Sequence, residues 1–268
     1  MRSLAHAAPR SASASFARYT LAVAEVEVRK LARDPTEVFT RSVQPALWLL
    51  VFGQVFGRLR AIPTGAMRYI DFMAPGVLAQ SVLFTAIFYG IAVIWERDLG
   101  LLHKMLVTPA YRGALVLGKA ASASARTIAQ TVLIYAIALA LGVHLSFRVG
   151  SLAVVLLAVV LGSAVFSTFS LVVACVVKTR ERFMGIGQVL TMPLFFASNA
   201  IYPIDMMPGW LKIVARLNPL TYLVDVLRSF MVVGGASAFG VGTDLAVQLV
   251  ALVALVLVAS KLYPSVAA

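Results

Sequence analysis

Few residues in this chain could do chemistry, and their spacing argues against most of it. Gly113-Ala-Leu-Val-Leu-Gly118-Lys119 has the spelling of a phosphate-binding loop. The next residue, Ala120, offers no hydroxyl to magnesium, and no strand pattern precedes the run. The residues between the glycines are bulky and apolar, which suits poorly a backbone that must curl around phosphate. ATP binding by this chain is not expected. His6, His103 and His144 fall outside the apolar stretches, so no histidine is placed for haem ligation, a metal cluster or a protease dyad within a membrane. Cys175 is the single cysteine and lies in an apolar run, so there is no disulfide framework. Asp71, Glu96, Glu181 and Asp244 sit at the ends of apolar stretches, whereas an ion-coupled carrier usually buries a carboxylate near the midplane. No catalytic residue, cofactor site or metal ligand is expected.

The elements that would position such residues are transmembrane. Of 268 residues, 61% are hydrophobic, and the mean hydropathy is +0.93. That excess over a soluble domain points to lipid as solvent. About 20 apolar residues cross the hydrocarbon core as a helix. Six such spans are read, near 37–57, 72–95, 126–143, 151–177, 184–201 and 244–262. The expected fold is an all-α integral membrane protein, with no room for a separate soluble catalytic domain. Residues 1–15 lack the apolar core of a signal peptide and read as a disordered cytoplasmic tail, and 16–268 as one membrane domain. Residues 16–33 carry Arg18, Glu25, Arg29 and Arg33 on one helical stripe and apolar residues over the remainder, the pattern of a helix lying on the membrane surface, although Glu27 interrupts its apolar arc. Asp34-Pro35-Thr36-Glu37 reads as a helix start, with Asp34 as cap and Pro35 in the first turn. Pro45 predicts a kink in the first span. Gly53 and Gly57 have the spacing of a helix-packing motif, a weak signal in isolation.

The net charge of +12 would suggest nucleic acid in a soluble protein. Here the basic residues flank apolar spans. Sixteen of the 23 lysines and arginines fall on the side of the amino end, the loop after the second span, the turn after the fourth and the tail. The positive-inside rule then puts both termini in the cytoplasm.

Two polar stretches stand out. Glu96-Arg97-Asp98-Leu99-Gly100-Leu101-Leu102-His103-Lys104-Met105-Leu106-Val107-Thr108-Pro109 holds a short amphipathic helix from Leu99 to Val107, stopped at Thr108-Pro109. Tyr202-Pro203-Ile-Asp205-Met-Met-Pro208-Gly-Trp210-Leu211 leads to Asn218-Pro219-Leu220-Thr221-Tyr222-Leu-Val-Asp225-Val-Leu-Arg228. Its prolines, Trp210 and tyrosines suit an element at the outer interface, with 220–233 as a half-span. Asp225 and Arg228 stand three apart on a helix, which leaves open a mutual ion pair or two separate charges reaching for water.

Together these stretches resemble the membrane subunits of ABC type-2 transporters, in the daunorubicin-resistance and nodulation-export branch. The family patterns are ERExGTLExLLVTP for the first, and PxxxxPxWL followed by NPLTYxxDxxR for the second. Leu101 and His103 stand where the family has Thr and Glu, and Asn199 where Gly is common. The resemblance implies an exporter permease for an amphiphilic drug, lipid or glycolipid, paired with a separate ATPase that binds ATP and Mg. It implies a homodimer, or a heterodimer with a related permease, in the cell membrane of a bacterium. Glu96, Arg97, Gly100, Leu102, Lys104, Met105, Leu106 and Pro109 would form the ATPase-coupling helix, and residues 16–33 the connecting helix beside it. Pro203, Pro208, Trp210, Asn218, Pro219, Tyr222, Asp225 and Arg228 would form a re-entrant external gate between the fifth and sixth spans. The aromatics Phe84, Phe88, Phe166 and Phe169 are candidates for a substrate path. An ion-coupled secondary transporter and a structural membrane subunit are the alternatives.

Overall fold

The computed structural model describes residues 36–59, 62–65, 67–98, 112–177 and 179–262. The surface helix at 16–33, the start signal at Asp34 and Pro35, and the coupling residues Gly100, Leu102, Lys104, Met105, Leu106 and Pro109 lie outside them.

The described residues are helical, with no strand among them. In hydrocarbon a helix satisfies its own backbone polar groups, so long apolar runs take this form. Helix α1 begins as Thr36–Leu47, passes through a π-helical turn at Trp48–Phe52 and resumes as Gly53–Leu59. Pro45 is the cause of the first irregularity, since it has no N–H to give the carbonyl four residues earlier. The predicted kink thus takes the form of a helix whose hydrogen-bond register shifts one turn after the proline. Four further helices are α2 (Tyr69–Asp98), α3 (Arg112–Ala140), α4 (Val149–Val176) and α5 (Arg180–Phe196). After a 3-10 turn at Ile204–Met206 come two short helices, α6 (Gly209–Leu217) and α7 (Pro219–Met231), and then α8 (Val241–Leu262).

Among the described residues, four stretches are long and apolar enough to cross a membrane: Tyr69–Phe88, Ala123–Ala140, Val149–Val176 and Val241–Leu262. α1 carries a shorter apolar run, Val43–Leu59. The helices outrun the spans read from hydropathy. α3 begins at Arg112, not near residue 126, and α2 continues through Glu96 and Arg97 to Asp98. Hydropathy marks where lipid begins, whereas backbone hydrogen bonding carries a helix on through polar residues of good propensity. The phosphate-loop look-alike at 113–119 is accordingly part of α3 and forms no loop.

α4 is apolar on all sides and packs against α2, α3, α7 and α8. The core lies between α2, α4 and α7, with Met73, Val77, Leu78, Val159, Phe166 and Leu223 among its members. Gly76 sets one close approach: a Cβ there would overlap the Ala200 backbone. Gly53 packs on Ile70, whereas among the described residues nothing lies within 4 Å of where a Cβ at Gly57 would sit. Ser170 on α4 donates to the Ile87 carbonyl and accepts from the Gly90 N–H at 3.1 Å, which ties α4 to α2.

Contacts between helix ends define the two ends of the bundle. One end gathers the start of α2, the turn after α3, the segment after α5, and α7. At the other end the Arg180 guanidinium lies 3.8 Å from the centre of the Trp95 ring, joining the start of α5 to the last turns of α2.

Candidate functional site

The polar centre of the described structure is built around α7. Its start is fixed by Asn218, whose Oδ1 accepts from the Leu220 N–H at 3.0 Å and caps the helix, with Pro219 in the first turn. The same side chain donates Nδ2 to the carbonyls of Leu194 at 2.6 Å and Ala197 at 3.0 Å. One buried carboxamide therefore starts α7 and ends α5. Tyr222 reaches back to the Arg216 carbonyl at 2.7 Å, and Gln248 of α8 donates to the Pro219 carbonyl at 2.8 Å.

α7 is buried from Leu220 to Arg228. The Asp225 carboxyl, 1% exposed, accepts at Oδ2 from Ser237 Oγ at 2.8 Å and from the N–H groups of Ala238 at 2.8 Å and Phe239 at 3.1 Å. Ser237 also approaches Asp244 Oδ2 at 3.0 Å and accepts from the Gly240 N–H. Two carboxyls thus meet through one hydroxyl, and they fold the 232–240 turn over the end of α7. Gly235 permits this, because a Cβ there would overlap the Arg228 carbonyl.

Arg228 takes other partners. Its Nη2 donates to the Asn199 carbonyl at 2.7 Å, the guanidinium also reaches the Phe72 carbonyl at 3.3 Å, and it lies 3.8 Å from the centre of the Phe72 ring. Both alternatives read from the sequence are therefore corrected. Asp225 and Arg228 neither bond to each other nor extend to water; each is buried and bound to backbone. Three residues on a helix bring side chains near one another, but the sequence does not show which backbone groups will compete for them.

A second clamp, at the start of α2, was not foreseen. Asp71 receives Arg68 Nε at 2.8 Å and Nη2 at 2.9 Å, and the His144 N–H at 3.0 Å, with the His144 ring Nδ1 at 3.2 Å. Arg68 also donates to the Gly142 carbonyl at 2.6 Å. The hydrogen bond to Asp71 is the first cause that raises the guanidinium of Arg68 above its ordinary pKa. A second tie follows: Ser146 donates to the Met231 carbonyl and Val233 to the His144 carbonyl, a two-residue antiparallel bridge between the α3–α4 turn and the end of α7. The sequence signal was present in Asp71 and His144 at the ends of adjacent spans, which invites a pairing across the bundle.

The other residues read from the sequence as an external gate divide sharply. Pro208 and Trp210 are exposed, and Pro203 is half-buried. On α6, Trp210, Ile213, Val214 and Leu217 are all exposed and share one apolar face, at i, i+3, i+4 and i+7. Of the aromatic candidates, Phe166 is in the core, whereas Phe84 and Phe88 stack with ring centres 6.3 Å apart beside a small cavity. Phe169 is half-buried on α4. Among the described residues no cluster of three or more His, Cys, Asp or Glu could hold a metal ion.

Comparison with known proteins places this arrangement. The family profile for ABC-2 type transporters matches residues 19–232. A protein named as a transport permease in Cyanophora paradoxa is 31% identical over 202 residues, covering 74% of this chain and 69% of that one. The daunorubicin resistance ABC transporter permease protein of Streptomyces coeruleorubidus is 26% identical over 257 residues, covering 92% and 87%. Nodulation protein J of Rhizobium leguminosarum bv. trifolii is 27% identical over 190 residues, covering 70% and 71%.

Proposed function

The chain belongs to the ABC-2 type transporter family, and on that premise we propose that it is the permease of an ATP-driven exporter that moves an amphiphilic drug, lipid or glycolipid outward. The permease class follows from the family and from four apolar spans. ATP is hydrolysed by a separate ATPase subunit, which binds the nucleotide and Mg.

One observation carries the coupling role. The apolar stretch of α2 ends at Phe88, yet the helix runs on to Asp98, and α3 starts at Arg112, well before its apolar stretch at Ala123. At 1.5 Å per residue, each extension is about 15 Å long. On this reading the segment between them would be held well clear of the hydrocarbon by two continuous helices. Any displacement of the loop by a docked ATPase would act directly on α2, which forms one wall of the core. Leu102, Met105 and Leu106 supply an apolar ridge for docking, and Glu96, Arg97 and Lys104 supply charges that set its orientation. Gly100 and Pro109 bound this segment.

Six crossings fit the bundle, with α1 and α5 joining the four apolar spans and both termini cytoplasmic. α7, with 13 residues, spans about 20 Å and is too short to cross. It would enter the outer leaflet and return, with α6 lying in the interface on its apolar face. That supports the external-gate reading for Pro203, Pro208, Trp210, Asn218, Pro219, Tyr222, Asp225 and Arg228. Two copies, or this chain with a related permease, would enclose one pathway.

The test combines co-purification with an adjacent ATPase and an export assay in cells. Leu102→Asp and Leu106→Asp should abolish export and weaken co-purification, because each buries an unpartnered charge at the docking face. Glu96→Ala should lower export more than binding, since it lies on the α2 extension that transmits the motion. Normal binding and export in both leucine variants would sink the coupling reading.

A further inference from the structure

A buried polar site lies at mid-depth in the apolar part of α2. Gln80 sits 11 residues along from Tyr69, about 16 Å into a stretch that ends at Phe88. Its side chain is 1% exposed, and neither Nε2 nor Oε1 has a hydrogen-bond partner among the described residues. A primary amide left unpartnered in a hydrocarbon setting is costly at both its donor and its acceptor. Its surroundings are not apolar, however. Gln80 lines a cavity of about 100 Å³ together with Gln44 of α1, Thr85 of α2 and Gln130 of α3, and the stacked pair Phe84 and Phe88 forms another part of the wall. Gln44 at the cavity is exposed, so the space is reached from the α1 face. Among the described residues that line it, none is ionisable.

The helix beside the cavity is also irregular. Pro45 lines it, and the π-helical turn at Trp48–Phe52 follows one turn later. Such turns in an α-helix recur at functional sites, because they re-aim side chains at the cost of regular hydrogen bonding. Three carboxamides from three helices, converging beside two aromatic rings, form a set with both donors and acceptors and no net charge.

We infer that this cavity binds an uncharged, hydrogen-bonding group, a hydroxyl or amide cluster such as a glycosyl head, with the attached apolar or planar portion against Phe84 and Phe88. Gln80 supplies paired donor and acceptor contacts, which discriminate strongly against a ligand that lacks them, since the amide then stays unsatisfied. The binding claim rests on the geometry alone; that the bound group is cargo rests on the exporter reading. A cationic head would find no counter-charge among the described lining residues.

The experiment uses the full chain in lipid nanodiscs, without ATPase or ATP, so that its outcome is independent of coupling and export. Two photoreactive probes are compared: an octyl glucoside bearing a diazirine, and a diazirine alkane of equal length. The glucoside should label peptides around Gln44, Gln80 and Gln130, and Gln80→Leu should reduce that labelling at least fivefold. The alkane should label both proteins equally. Removal of an unpartnered amide should leave Tm unchanged or higher, so loss of labelling at constant Tm marks lost recognition. Should Tm fall, Thr85→Val provides the same comparison, with the same fivefold loss expected. Equal glucoside labelling of wild type and a folded variant would overturn the proposal and leave a cavity that holds water only.

Discussion

α6 and α7 are consecutive, short and amphipathic, joined only by Asn218, and they have opposite fates. α6 turns Trp210, Ile213, Val214 and Leu217 outward, where they are 45% to 79% exposed. α7 is buried along its length, including Asp225 and Arg228. In water this would be the wrong way round, with an apolar stripe exposed and two polar groups interred. In a membrane protein it is the expected sorting. Apolar side chains face lipid at no cost, and polar groups turn inward, where backbone can satisfy them. The comparison teaches that amphipathicity alone does not say which face is inside; the partners available to the polar residues decide it.

The largest expected effect tests the buried half of that contrast. Asp225→Ala removes the acceptor for Ser237 and for two backbone N–H groups, and should destabilise the protein by about 3 kcal/mol or more, read as a fall in Tm in detergent. Asp225→Asn keeps an acceptor oxygen, so it should fold and assemble while export falls. Equal Tm for wild type and Asp225→Ala would mean that the 232–240 turn is held by something else. Next comes Arg228→Lys. An ammonium cannot bond both the Asn199 and Phe72 carbonyls while stacking on the Phe72 ring, and the loss should be about 2 kcal/mol. A silent substitution would show that only the charge matters there.

Asn218→Ala sharpens the junction between the two helices. The cap and two bonds to the end of α5 are lost, a cost of about 1–2 kcal/mol, measured by the same unfolding assay. An additional readout is cysteine labelling at Trp210→Cys in a Cys175→Ser background, which should change if α6 loses its anchor. The smallest effect is expected on α6 itself. Leu217→Ser should change the unfolding free energy in detergent by less than about 0.5 kcal/mol, while weakening partition of α6 into lipid. Destabilisation as large as that of Asp225→Ala would show that the α6 face is covered by protein and not by lipid.

Much of the fold was legible in the sequence because its solvent is lipid. Four of the spans read from hydropathy fall on helices long and apolar enough to cross a membrane, and those at 37–57 and 184–201 overlap α1 and α5, although α2 and α3 run further than hydropathy shows. The stretch read as a half-span at 220–233 is helical, as α7 at 219–231. The family was legible from two motifs that keep both spacing and order, and the profile match to residues 19–232 bears it out. The polar interior was not legible. Gln44, Gln80 and Gln130 lie on three different helices and carry no signal in the sequence, because uncharged amides scarcely dent a hydropathy reading and their spacing along the chain says nothing of convergence. His144 reads in the sequence as a turn residue, yet its backbone N–H is part of what fixes Asp71.

The sequence by itself determined which segments become helices and which family the chain resembles, since the lengths of apolar runs and local proline, glycine and capping chemistry act over a few residues. Tertiary structure alone decided the partners of the polar side chains. Asp225 and Arg228, three residues apart, were drawn to separate backbone groups, among them Phe72, which is 156 positions away from Arg228. The physical reason is that burial leaves a polar group only the donors and acceptors that packing brings to it, and packing brings them from distant parts of the chain.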